Sequence, residues 1–387
     1  MSNAMSESRT IAFRTDASLA IGSGHVMRCL TLAEALKAQG AECQFLCREH
    51  PGHLIDLIEA RGFRVHRLAA SAWPASDSIR SQTPNAKPCH TDPPHAHWLG
   101  ASWAQDAEAC QSLLAALAPD WLVVDHYALD ARWEHEVARV VGRIMVVDDL
   151  SDRDHQADIL LDQNVLNHEG EDRYRVRVNS ECKLLLGPNY ALLGQEYTFL
   201  AQALPERDGH VSRILIFVGG SDPHHLTEQY LKALSAPEFQ QLQVDVVIGK
   251  NHPNPDSVAE IVSQRDTTRL YSGLPSLAAL MVRADLMLGA GGTTNWERMC
   301  LGLNSIVVSV ARNQDEINRE LADQALIHFL GKAESISVDN IQATVRFVLD
   351  NSSYNCTQSK AIRKVVDGCG TKRVAQLLME EANYAIA

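Results

Sequence analysis

An imidazole preceded by two glycines is the feature of this chain best suited to moving a proton: His25, in the run Arg14-Thr-Asp16-Ala-Ser18-Leu-Ala-Ile-Gly22-Ser-Gly24-His25. Glycine at 22 and 24 lets the backbone approach a ligand closely, and the run opens a helical pattern whose free amides favour an anion. An imidazole there would face the ligand and could act as acid or base; the alternative is a histidine that merely caps the helix. As a dinucleotide fingerprint the run fails, because Arg28 stands out of pattern and only Gly22 and Gly24 fit. A second cluster, Asp125-His126-Tyr127, ends an apolar run. Carboxylate, imidazole and phenol there could orient a base, hold hydroxyl groups of a sugar, or form an ordinary satisfied turn.

Two further runs carry the chemistry of phosphate binding. Gly219-Gly220-Ser221-Asp222-Pro223 has the residues of a phosphate-cradling turn, which are also simple turn residues. Gly289-Ala-Gly291-Gly292-Thr293-Thr294-Asn-Trp-Glu297-Arg298 is richer. Gly291, Gly292, Thr293 and Thr294 can offer amides and hydroxyls to a diphosphate, and Glu297, one turn into the next helix, can accept from a ribose hydroxyl. No G-x-x-x-x-G-K-[ST] is present, which disfavours a P-loop ATPase. Cys89, His90, His95 and His97 are zinc-binding types whose spacing matches no structural zinc pattern, so no metal is expected. His224 and His225 read as surface residues at a helix start.

These residues need strands and helices to hold them. Apolar runs alternate with helical periodicity: 11–13, then a helix over 26–37 closed by Gly40, then runs at 43–46 and 63–65 around a short helix. A helix over 107–118, a strand over 121–125, a helix over 133–141 and strands at 144–147 and 159–161 follow. Polar composition around Leu204-Pro205-Glu-Arg-Asp-Gly209 marks a boundary, after which strands at 214–218, 244–248, 286–288 and 306–310 alternate with helices. Alternation of this kind predicts two doubly wound α/β domains in tandem. The predicted division is 5–205 and 206–387, the latter with a helical tail from 341 that could pack on either domain. Residues 71–97, rich in proline without periodicity, read as an insertion, and Met1-Ser-Asn-Ala4 as an expression scar before Met5.

At 387 residues the chain exceeds one ordinary core. It has no apolar run near the roughly 20 residues of a membrane span. A net charge of −13 disfavours nucleic acid as a partner. With no signal sequence and nine cysteines free of C-x-x-C spacing, the expected setting is cytoplasmic with reduced thiols. Oligomeric state is left open.

In combination, the runs 14–18 with 21–25, 121–127, 148–153 with 160–164, 187–190 and 289–298 resemble the bacterial PseG-type UDP-sugar hydrolases of pseudaminic acid biosynthesis, enzymes of flagellin glycosylation. That resemblance implies a GT-B-like fold of two Rossmann-like domains facing a central cleft. It also implies hydrolysis of UDP-2,4-diacetamido-2,4,6-trideoxy-β-L-altropyranose to UDP and the free sugar, by water attack at the anomeric carbon, with no metal or cofactor. By the same carry-over His25 activates water and Tyr127 lies beside the sugar. Arg14, Asp16, Gly24, Asp125 and Tyr190 fall in stretches expected to bind substrate, and Gly220, Ser221, Gly291, Gly292, Thr293, Thr294 and Glu297 in those expected to hold UDP. The insertion is longer than that family's, and Ser151 stands where it usually has alanine. The alternatives are a GT-B glycosyltransferase, a hydrolysing epimerase and a non-catalytic nucleotide-sugar sensor.

Overall fold

Trp121-Leu-Val-Val-Asp125 is buried at every position, as a strand inside a parallel sheet covered on both faces must be. In the computed structural model, which describes residues 8–70, 92–164 and 168–380, it is one of seven parallel strands. These are β1 (Thr10–Thr15), β2 (Glu42–Arg48), β3 (Arg64–Leu68), β4 (Trp121–Asp125), β5 (Arg143–Val147), β6 (Ile159–Asp162) and β7 (Lys183–Leu186), in spatial order 3-2-1-4-5-6-7. Helices α1 (Gly24–Ala38), α2 (Ile55–Ala60), α3 (Trp103–Leu117), α4 (Ala131–Val137) and α5 (His168–Arg175) connect them. Alternate residues of each strand feed opposite cores: Ile11, Phe13, Trp121 and Val123 pack under α1, while Ala12, Leu122 and Val124 pack under α3. On α1 the predicted stripe Val26, Cys29, Leu30, Ala33 and Leu36 is buried, and Gly40 at φ 93° ends the helix in the left-handed region.

The second sheet repeats the arrangement with six parallel strands. They are β8 (Arg213–Phe217), β9 (Gln243–Ile248), β10 (Thr268–Ser272), β11 (Leu286–Ala290), β12 (Asn304–Ser309) and β13 (His328–Lys332), in order 10-9-8-11-12-13. Around it run α6 (Gln195–Ala203), α7 (Leu226–Ala233), α8 (Pro255–Ser263), α9 (Ala278–Arg283), α10 (Thr294–Cys300), α11 (Asp315–Asp323), α12 (Val338–Asp350) and α13 (Ser352–Arg363), with α14 (Gly370–Glu380) closing the described chain. Among the described residues no helix is long and apolar enough to cross a membrane.

The division of the chain differs from the predicted one at both ends. One unit comprises residues up to Leu192 and those from Lys372 on; the other is Leu193–Thr371. α6 joins the second unit because Tyr197, 2% exposed, packs toward α10, and Cys300 Sγ donates to the Tyr197 carbonyl at 3.8 Å. The helical tail from 341, which by sequence could pack on either domain, is shared. Ile341, Val345 and Val348 of α12 complete the second core, whereas Val374, Ala375 and Leu378 of α14 complete the first, where Arg9 donates to the Leu378 carbonyl at 2.7 Å. Of the expected insertion, 71–91 lies outside the described residues. Its end is not structureless, since 92–95 leads into a 3-10 turn, Ala96–Leu99, whose Leu99 is buried.

Candidate active site

Parallel doubly wound sheets bind ligands beyond the carboxyl ends of their strands, where the winding reverses. In the first sheet that point lies between β1 and β4, paired from Ile11–Trp121 to Thr15–Asp125. His25, the second residue of α1, follows β1; Asp125 ends β4. His25 Nδ1 lies 2.6 Å from Asp125 Oδ1, and Arg28, one helical turn on, donates to both oxygens of the same carboxylate at 2.6 and 2.7 Å. Asp125 is fully buried, which by itself raises a carboxyl pKa; Arg28 and His25 outweigh burial and hold it well below the usual range. An ionised Asp125 requires His25 Nδ1 to carry the proton it donates, leaving the lone pair on Nε2. Among the described residues Nε2 has no hydrogen-bond partner. The neutral imidazole is thereby held in one tautomer.

Tyr127 forms the floor beside it. Its ring meets His25 edge-on at 4.5 Å and stacks against Trp98 at 5.8 Å, and its hydroxyl donates to Asp149, which also accepts from Arg28 at 3.2 Å and Asn164 at 3.1 Å. Burial and the neighbouring Asp149 push the phenol well above its ordinary pKa, so Tyr127 is a neutral positioning group, 5% exposed. His95 adds a further ring, 5.5 Å from Tyr127 and 4.5 Å from Trp98.

Three residues expected to touch substrate lie behind this wall. Arg14 and Asp16 have no exposed surface: Arg14 NH1 meets Asp16 at 2.8 Å, its other nitrogens donate to Asp106 at 2.8 and 3.2 Å, and Asp16 accepts the Arg48 amide at 2.7 Å. Their charges cancel each other inside the fold and tie the β1–α1 loop to β2 and α3. Asp125 likewise serves His25 rather than a ligand. Gly24 stays partly exposed at the helix mouth, while Tyr190, in a 3-10 turn after edge strand β7, packs on the core under α1. His126, the middle of the second cluster, points inward to Asp16 at 3.2 Å. Sequence reasoning did not nominate Arg28, Asp149 or Trp98. Arg28 had a signal in its i+3 spacing from His25 and Asp149 in its place within the run 148–153, whereas Trp98 lies far along the chain with none.

In the second sheet the winding reverses between β8 and β11, and the two glycine runs occupy the turns that follow those strands. Gly219 has φ 131° and Gly292 φ 104°, backbone that side chains other than glycine rarely adopt. Gly291 N–H pairs with the Val308 carbonyl, whereas the amides of Gly292 and Thr293 reach no acceptor among the described residues. A Cβ on Gly291 would come within 2.4 Å of the Asn318 amide. Gly220 and Ser221 are accessible, and Asp222 accepts the amides of Leu226 (3.0 Å) and Thr227 (2.7 Å) to start α7. Glu297 hydrogen-bonds Tyr197, and burial, which outweighs that bond, pushes its carboxyl up to about 7. Near neutral pH it can therefore both donate and accept.

Asp222, Glu228 and His252 place one possible ligand atom each within 4.8 Å of one another. The set fits a metal poorly. Both Asp222 oxygens already accept amides, and His252 Nδ1 accepts the Asn254 N–H at 3.2 Å, which puts the ring proton on Nε2, the nitrogen facing Asp222. Cys89 and His90 lie outside the described residues; His95 belongs to the aromatic wall. His224 is partly buried and His225 exposed. A hollow of about 230 Å³ lined by Arg207, Asp208, Asp285 and Asn304 opens at the amino edge of the second sheet, the end away from both turns.

The turn after β9 supports the one after β8, for a Cβ on Gly249 would fall 2.0 Å from the Gly220 carbonyl oxygen. Gly249→Ala should therefore cost about 1–3 kcal/mol of stability and displace Gly220. Thermal unfolding checks this; an unchanged melting temperature would show that the two turns do not support each other.

Residues 213–372 match the family described as Glycosyltransferase family 28 C-terminal domain. The chain is 25% identical over 212 residues to the spore coat polysaccharide biosynthesis protein SpsG of Bacillus subtilis, covering 54% of this chain. It is 24% identical over 314 residues, 81% of its length, to the UDP-2,4-diacetamido-2,4,6-trideoxy-beta-L-altropyranose hydrolase of Campylobacter jejuni. It spans 62% of the length of the first relative, under two thirds, and 96% of the second. Among solved structures, Acinetobacter baumannii MurG superposes with a TM-score of 0.63 at 13% identity, over 96% of this chain and 99% of that one. The two parallel-sheet domains and neighbours such as MurG define a GT-B fold.

Proposed function

We propose that this GT-B protein is an enzyme acting on UDP-sugars, and within that class a hydrolase that splits UDP-2,4-diacetamido-2,4,6-trideoxy-β-L-altropyranose into UDP and the free sugar. The observation that carries the reading is the Asp125–His25 pair at the switch point of the first sheet, with Nε2 free to take a proton. Support for the substrate comes from the Campylobacter relative that bears this activity in its name. In the reading, the turns at Gly220–Ser221 and Gly291–Thr294 hold the diphosphate and Glu297 meets the ribose, while His25 supplies the base.

His25 Nε2 takes a proton from water as the water oxygen bonds to the anomeric carbon. The anomeric C–O bond to the β-phosphate breaks, and UDP leaves with its electron pair. Because a diphosphate is already a good leaving group, the protein has only to steady its charge and orient the water. A second carboxylate acid, as ordinary glycosidases use, is not demanded. Asp125 stabilises the imidazolium that forms.

The test is incubation of the UDP-sugar with the protein in ¹⁸O-labelled water and no acceptor. UDP release with label at the sugar's anomeric carbon is expected. Label in UDP would refute attack at that carbon, and release only on adding an acceptor alcohol would make the protein a transferase.

A further inference from the structure

Two guanidinium groups are among the largest fully buried side chains, and their surroundings differ. Arg14 sits between two carboxylates. Arg298 has none: among the described residues no carboxylate oxygen lies within 4.0 Å of its nitrogens. NH1 donates to the Ala290 carbonyl at 3.1 Å, NH2 donates to Asn295 Oδ1, and Nε is buried without a partner. A buried charge without a counter-charge is costly, and folds usually avoid one.

Its location gives the cost a use. Ala290 is the last residue of β11 and Asn295 lies in the first turn of α10, so one guanidinium ties together both ends of the turn 291–294. The turn it ties carries the amides of Gly292 and Thr293, which reach no acceptor among the described residues. Tyr230 donates to the Gly289 carbonyl at 3.1 Å and Arg298 to that of Ala290, so the carbonyls that end β11 are satisfied. Burial pulls the guanidinium down to about 9, and its nearest ionisable neighbours, Tyr230 and Glu297, only partly oppose this. Glu297, itself pushed up to about 7, is a poor counter-ion near neutral pH.

We infer that Arg298 is the fixed positive charge beneath the diphosphate: a positioning residue that never touches the ligand, selects an anionic nucleotide over a neutral nucleoside, and is compensated when the diphosphate binds. This rests on the assignment of UDP to the turn at Gly291–Thr294.

Calorimetric titration of the full chain with UDP, UMP and uridine tests it, using wild type, Arg298→Gln and Asn295→Asp. The last variant sets a carboxylate against the guanidinium and keeps the turn tied, so it neutralises the charge without removing the side chain. Both variants should weaken UDP about tenfold or more, UMP less, and leave uridine within about twofold, because a Coulomb term scales with ligand charge. Equal losses for the three ligands, or undiminished UDP affinity in Asn295→Asp, would overturn the inference alone. A wild-type chain that binds no UDP would overturn the nucleotide assignment, and the inference with it.

Discussion

Replacing His25 by glutamine is expected to lower turnover about 10²–10⁴-fold, the range for loss of a positioned general base, while UDP affinity stays within about twofold. Glutamine approximates the reach of the imidazole and can still donate to Asp125, so the Arg28–Asp125 pair and the fold should survive. What disappears is the lone pair on Nε2. Initial rates of UDP release, with calorimetric titration of UDP alongside, separate the two effects. Near wild-type turnover in His25→Gln would remove the base from the mechanism even if the substrate assignment held.

Asp125→Asn should have the second large effect, and it acts at two levels. An asparagine amide can donate to Nδ1, which favours the tautomer with the proton on Nε2 and leaves no base toward the water. Turnover should fall by at least about a hundredfold. Arg28, 4% exposed, keeps only Asp149 at 3.2 Å as an ionic partner, so loss of the carboxylate should also cost about 3 kcal/mol of stability. The stability term has a defined sign with pH. Asp125 titrates well below its unfolded value of about 3.9, so its contribution is fully present above that value and is lost as pH falls through the folded pKa. Urea unfolding at pH 7 and at pH 3 should show the gap between wild type and variant narrowing in acid. A gap that widened in acid, or full turnover in Asp125→Asn, would dismiss the dyad.

Several features were legible in the chain before folding. β1, β4, β8 and β11 are apolar enough to be recognised as buried strands, and the glycine-bearing runs follow three of them directly. Since parallel sheets present their sites at those turns, the nominated residues other than Tyr190, which follows edge strand β7, lie in or beside the strands at the switch points of the two sheets. The edge strands β10 and β13 were missed for a physical reason. They are half-exposed, so their sequences lack the apolar run that marks a central strand. Arg14 and Asp16 illustrate a different gap: charged residues at the end of a strand and in the turn after it suggest ligand contact, yet contacts with Asp106 and the Arg48 amide from distant segments turn them inward.

The sequence alone determined two doubly wound halves and nominated the turns after their strands, with His25 in one of them, because periodicity and glycine chemistry are local properties. Tertiary structure decided which charges meet. It joined His25 to Asp125, 100 residues away, and buried Arg298 without a counter-ion. It also returned α14 to the first core. Pairing and burial depend on contacts between distant segments, so no local pattern records them.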